Sequence, residues 1–281
     1  MQGGALTGMK VVVDAANGAA STLVRPVFDR LGVTLVVIGD APNGTNINES
    51  CGATHPAAVA AAVLEHGADV GIALDGDADR LIAVDSTGTI VDGDHIMAIA
   101  ALDLAARGVL ADDTVVVTTM TNLGLHHAMR DAGIRVVTTD VGDRYVLEAL
   151  AAGGYALGGE QSGHVIFADR ATTGDGMLTA VALLDIVGRT GRSLTDLAGS
   201  AMTSLPQVLV NVPVASRVPD VAELLADDVA VLEAELAGEG RILLRPSGTE
   251  PLVRVMVEAP TNAAAERVAT ILADAVRARC T

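Results

Sequence analysis

The feature that most narrows the fold is an order of segments that occurs twice. Val11-Val12-Val13 runs into the loop Asp14-Ala15-Ala16-Asn17-Gly18, then a helical stretch, then the apolar run from Leu31 to Val37. Further on, Val115-Val116-Val117 leads through Thr121-Asn122-Leu123-Gly124 into a second helical stretch and then into Ala132 to Val137. Short β-branched runs bounded by turn residues read as strands. Two strand, helix, strand copies at similar spacing predict two α/β domains related by an internal repeat. Between the copies, Pro56 and Gly67 bracket an alanine-rich helix running from about His55 to His66, and the buried strand Val70 to Leu74 follows it.

After Pro206 the order changes to a strand at Val208-Leu209-Val210, a helix near Val221 to Leu236, strands at Arg241 to Leu244 and Leu252 to Val257, and a last helix from about Asn262. This predicts a third, smaller α+β domain, with boundaries expected at 1–104, 105–203 and 204–281. The longest uncharged run, Leu197 to Ser216, contains Pro206, Gln207, Asn211 and Pro213, too broken and polar to span a membrane, and it reads as a domain boundary.

Charge narrows the partners. With 35 acidic and 18 basic residues the net charge is -17, which argues against nucleic acid or an anionic membrane and requires any anionic ligand to be held by a local site. Cys51 and Cys280 are the only cysteines and no secretory pattern opens the sequence, so a cytoplasmic protein with free thiols is expected.

Three motifs carry the chemistry. Asp75-Gly76-Asp77-Ala78-Asp79-Arg80 follows a buried apolar strand, and alternation along an extended backbone would turn Asp75, Asp77 and Asp79 toward one point. Three crowded carboxylates repel one another unless a cation sits among them, and hard oxygen ligands suit Mg2+. An EF-hand is poorly supported, because Arg80 stands where that loop needs glycine. A haloacid-dehalogenase-like phosphatase would instead use Asp75 as nucleophile, although Asp79 departs from that pattern.

The second motif is Gly158-Gly159-Glu160-Gln161-Ser162-Gly163-His164, in which Glu160, Ser162 and His164 alternate and suit sugar hydroxyls or an amine; a buried polar turn reads equally well. The third, Arg245-Pro246-Ser247-Gly248-Thr249-Glu250-Pro251, lies between apolar strands and combines a guanidinium, two hydroxyls and backbone N–H groups into an anion cradle suited to phosphate; Arg254 either adds a second charge or pairs with a carboxylate. In Asp92-Gly93-Asp94-His95, Asp94 is expected to cap a helix, and Thr172 to Gly176 reads as the turn into another. Asp143 and Arg144 follow a glycine after a strand and are not assigned by the residues alone.

A cation loop, a sugar-like loop and a phosphate-like loop, one per domain and in that order, resemble domains two, three and four of the α-D-phosphohexomutases over nearly the whole chain. The resemblance implies two repeated α/β domains with mixed sheets and a C-terminal α+β domain like the TATA-box-binding protein. It implies Mg2+ on Asp75, Asp77 and Asp79 with Arg80 in support, and substrate contacts from Asp143, Arg144, Glu160, Ser162, His164, Arg245, Ser247, Gly248, Thr249 and Arg254. Gly248 and the run Val141-Gly142-Asp143-Arg144-Tyr145-Val146 resemble the phosphoglucosamine branch, whereas the phosphomannose and phosphoglucose branch more often has Asn and His at the positions of Gly248 and Asp143.

The implied reaction interconverts glucosamine 6-phosphate and glucosamine 1-phosphate through an enzyme phosphoserine and a 1,6-bisphosphate, for UDP-N-acetylglucosamine synthesis. The family carries that serine on a first α/β domain, whereas this sequence opens at the second, so the chain alone is expected to be inactive as a mutase and to have the serine domain as a partner. A phosphorylated amino sugar is the expected ligand and a homodimer the expected assembly. A phosphosugar-binding remnant without turnover is the remaining alternative.

Overall fold

The computed structural model describes residues 6–216, 218–247 and 250–280. The first repeat consists of β1 (Lys10–Asp14), α1 (Val24–Leu31), β2 (Thr34–Ile38), α2 (Ala57–His66), β3 (Val70–Leu74), β4 (Leu81–Asp85) and β5 (Ile90–Val91). Its sheet has the order β2-β1-β3-β4-β5, parallel through β3 and antiparallel beyond it. Both faces are covered, so β3 and β4 are buried along their whole length and read as continuous apolar runs.

Next come α3 (Gly93–Ala106), β6 (Thr114–Thr118), α4 (Leu123–Asp131), β7 (Arg135–Thr139), α5 (Asp143–Gly153), β8 (Leu157–Gly159), β9 (Val165–Phe167), α6 (Gly176–Thr190) and α7 (Leu194–Ala201). The second sheet runs β7-β6-β8-β9, again parallel and then antiparallel at the last strand, so the repeat read from the sequence extends to the strand order. The α3 helix is buried almost all round, from Ile96 and Met97 through Ile99 to Leu104, as expected of a helix without an apolar stripe. One core therefore continues through both repeats.

The remaining elements are β10 (Gln207–Pro213), α8 (Val221–Leu224), α9 (Ala226–Leu236), β11 (Arg241–Pro246), β12 (Leu252–Glu258) and α10 (Asn262–Cys280). They form an antiparallel sheet in the order β10-β12-β11, with a core of its own. The helix expected from Val221 to Leu236 is two helices, because the backbone at Leu225 leaves the helical region. Two compact units result: residues up to Thr121 with Leu125–Thr203, and Asn122–Gly124 with Ser204 onward.

Candidate functional site

Two of the chemical motifs are loops of antiparallel hairpins, residues 75–80 joining β3 to β4 and residues 160–164 joining β8 to β9, and the third falls in sequence between β11 and β12, which pair antiparallel. The acidic and glycine-rich loops thus occupy equivalent positions in the two copies of the repeat.

The acidic loop does not alternate along an extended strand. It turns tightly, with Ala78 in the left-handed region at φ 62° and its N–H donating to Asp75 O at 3.1 Å. The turn still gathers one carboxylate oxygen from each of Asp75, Asp77 and Asp79 within 4.8 Å of one another. Burial, and then the charges of Asp79 and Asp77, push the Asp75 carboxyl up to about 6, against the Arg80 N–H that donates to its Oδ1 at 3.1 Å. The Arg80 Nε lies 3.7 Å from Asp75 Oδ2 and 3.6 Å from Asp79 Oδ1. Asp79 Oδ1 is buried and has no hydrogen-bond partner. Crowded hard oxygens, a carboxyl whose ionisation is opposed by burial and by its acidic neighbours, and a buried carboxylate oxygen without a hydrogen-bond partner together fit Mg2+.

In the glycine-rich loop, Glu160 Oε1 accepts from Gly142 N at 3.0 Å at the start of α5, and Ser162 is exposed. A pocket of about 290 Å3 is lined by Thr118, Met120, Val141, Glu160, Gln161 and Ser162. Thr118 and Met120 were not singled out from the sequence, although loops at the carboxyl ends of strands are where open α/β sheets receive ligands. His164 is 3% exposed, with Nδ1 3.1 Å from Asp79 Oδ2 and Nε2 accepting from Gly174 N at 3.1 Å. Asp143 opens α5 and accepts from Arg144 N, while the exposed Arg144 guanidinium pairs with Glu148 at 2.7 Å.

These two loops are fastened together. Leu81 N donates to Gly163 O at 3.0 Å, and Gly176 N to Ala78 O at 2.8 Å. Gly163 has φ 94° and lies so close to Leu81 O that a Cβ there could not be accommodated. Asp92 caps α3 where Asp94 was expected to, accepting from His95 N at 3.1 Å; Asp94 lies inside the first turn and is buried. The second Asp92 oxygen accepts from Gln161 Nε2 at 3.3 Å, tying this cap to the glycine-rich loop.

In the second unit, Ser247 is buried and its Oγ accepts from Glu250 N at 3.2 Å. Arg245 and Arg254 are direct partners across β11 and β12, so their side chains share one face. Among the described residues neither guanidinium has an ion-pair partner. Like charges set opposite each other repel, and an anion between them removes that cost. Gly248 and Thr249 lie outside the described residues.

Three models of one family match the chain: phosphoglucomutase/phosphomannomutase alpha/beta/alpha domain II over residues 4–88, alpha/beta/alpha domain III over 92–205, and the C-terminal domain over 209–275. A phosphoglucosamine mutase of Frankia casuarinae is 62% identical over 273 residues, 97% of this chain and 60% of that protein. The chain thus spans about 60% of the length of the curated relatives it matches. Among solved structures, a phosphoglucomutase/phosphomannomutase family protein from Burkholderia thailandensis has a TM-score of 0.79 at 27% identity, covering 97% of this chain and 61% of its own. The Aspergillus fumigatus N-acetylphosphoglucosamine mutase, solved with GlcNAc-6P and magnesium, has a TM-score of 0.79 at 24% identity over 98% of this chain and 62% of its own, a likeness of fold. The chain belongs to the phosphoglucomutase/phosphomannomutase family, of which it carries domains II, III and IV.

Proposed function

We propose that these 281 residues are the cation-, sugar- and phosphate-binding part of a mutase that interconverts glucosamine 6-phosphate and glucosamine 1-phosphate through an enzyme phosphoserine and a 1,6-bisphosphate. The observation that carries this reading is the fastening of the acidic loop to the glycine-rich loop, by Leu81 N on Gly163 O and His164 on Asp79. It sets a cation site beside a sugar-sized pocket, as phosphoryl transfer to a sugar hydroxyl requires. The 62% identity to the Frankia casuarinae enzyme supports an amino sugar over a hexose.

Asp75, Asp77 and Asp79 hold Mg2+, which when bound neutralises charge on phosphoryl oxygens. Arg80 balances the acidic cluster from beside it. Glu160, oriented by the Gly142 N–H, and Ser162 meet the hydroxyls and amine of the sugar, and Asp143 and Arg144 extend that face from the start of α5. Arg245, Arg254 and Ser247 grip the phosphate that is not being transferred, and the motif adds Gly248 and Thr249 to the same grip. No helix among the described residues is long and apolar enough to cross a membrane, and Cys51 and Cys280 are free, which fits the cytoplasm.

The test is mutase turnover of glucosamine 6-phosphate with Mg2+ and the bisphosphate activator, with and without an added serine-bearing domain of the same family. Turnover only on addition is the expected result. Turnover by the 281-residue chain alone would overturn the assignment of the phosphoryl carrier to a serine on another domain. Phosphate release abolished by Asp75→Asn would make the site a phosphatase.

A further inference from the structure

We propose that Asn48, in the long connection from β2 to α2, is a positioning residue of the cation site: its side chain fixes Gly76 between Asp75 and Asp77, and its buried oxygen takes a hydrogen bond from the water shell of the bound ion. The inference rests on the cation reading of the acidic loop and adds to it a residue from outside that loop. The connection, residues 39–56, has no helix or strand of its own, and ordered connections of such length are uncommon unless they serve a function. It turns repeatedly into the left-handed region, at Gly39, Gly44, Asn48, Ser50 and Gly52. Asn48 and Ser50 are not glycine, and backbone strain of this kind persists only where the surroundings over-determine it.

Side chains at the end of β1 and within the connection do this. Gly52 N donates to Asp14 Oδ2 at 2.7 Å, Ala41 N to Asn17 Oδ1 at 3.1 Å, and Asn46 N to Asn43 Oδ1 at 3.0 Å, while Asn46 Nδ2 donates to Ala41 O at 3.1 Å. Asn48 N donates to Ala16 O at 2.9 Å, which sets the residue against the acidic loop. There the fit is close: a Cβ on Gly76 would lie 2.7 Å from Ile47 Cδ1 and 2.8 Å from Asn48 Nδ2. Ala19 N also donates to Gly76 O at 2.8 Å, so the residue that joins Asp75 to Asp77 is held both by its carbonyl and by its packing. Asn17, Asn43 and Asn46 spend their amides on knitting the connection together, but Asn48 Oδ1 is buried and has no hydrogen-bond partner. A buried acceptor costs free energy until a donor meets it, and Mg2+ usually keeps several waters, each of them a donor.

The experiment measures Mn2+ affinity by electron paramagnetic resonance of the free ion, and Mg2+ by competition, in the wild-type chain and three variants, with denaturant unfolding in a chelator alongside. Asn48→Gly suits the left-handed backbone and removes the side chain. Ser50→Gly makes the same backbone change two residues on, and Asn48→Asp keeps the shape and the acceptor. Cation affinity is expected to fall about 10–100-fold in Asn48→Gly, to stay within about twofold of wild type in Ser50→Gly, and to equal or exceed wild type in Asn48→Asp. Asn48→Gly is expected to unfold at the denaturant concentration of the wild type or above it, so that its lost affinity is not lost structure. Wild-type affinity in Asn48→Gly, the same loss in Ser50→Gly, or a loss in Asn48→Asp equal to that in Asn48→Gly overturns the positioning role. A wild-type chain that binds neither cation overturns the cation reading itself, and this inference with it.

Discussion

At Asp75 a single carboxyl would report the state of the proposed cation site. Its folded-state pKa stands at about 6, above the ordinary 3.8, first because it is buried and then because Asp79 and Asp77 stand near it. A raised carboxyl favours the folded protein while it is protonated; that contribution is complete below the ordinary value and is lost as pH rises through about 6. Without divalent cation, Asp75→Asn, which copies the protonated form, should therefore be more stable than wild type at neutral pH by on the order of 2 kcal/mol, with the gap closing toward pH 4. Denaturant unfolding in a chelator across that range checks it, and a gap independent of pH would show that Asp75 does not carry the shift. Mg2+ should reverse the order at neutral pH, because only the wild-type carboxylate gains the cation. That Asp75, Asp77 and Asp79 gather at one point was legible in sequence, but the route was not. Ala78, at φ 62°, takes a left-handed conformation that non-glycine residues rarely adopt, so an alternating pattern concealed a tight turn.

Hairpins and helix caps carry the next level of organisation. Across β11 and β12, Arg245 and Arg254 face each other without acidic partners among the described residues. In phosphate-free buffer Arg254→Gln should be stabilising by about 0.2–1 kcal/mol, since it removes a like-charge pair. The same variant should abolish the rise in melting temperature that inorganic phosphate gives the wild type; a variant that is destabilised and still responds to phosphate would show the pair to be incidental. At the other sheet, Asp92 caps α3 through His95 N and also holds Gln161 of the glycine-rich loop. Asp92→Ala should destabilise by about 1–2 kcal/mol and also weaken sugar phosphate binding, whereas Asp175→Ala, which removes the α6 cap, should cost similar stability. Calorimetry and ligand titration on both variants separate the two effects. The sequence pointed to Asp94 as the cap because it immediately precedes the apolar run; the helix starts earlier, at Gly93, so Asp92 takes the role and Asp94 falls into the buried first turn.

At the scale of the whole molecule, the repeat was readable because strand periodicity is local, and both copies show it with the same strand order. What no local pattern discloses is that residues far apart in sequence fasten the two copies: Leu81 to Gly163, Ala78 to Gly176, Asp79 to His164. These contacts have a thermodynamic consequence. A ligand present at about 100 times its dissociation constant stabilises the binding-competent state by about 2.7 kcal/mol, and amide exchange slows wherever exchange requires that state to open. Because one core continues through both repeats, Mg2+ on the acidic loop should slow exchange in β8 and β9 as well as in β3 and β4. The sheet of β10, β11 and β12 has a core of its own and should respond instead to phosphate. Hydrogen-exchange mass spectrometry with Mg2+, with phosphate and with neither distinguishes the two responses. If Mg2+ protected β3 and β4 and left β8 and β9 unchanged, the two loops would be neighbours without being coupled, and cation binding would say nothing to the sugar pocket.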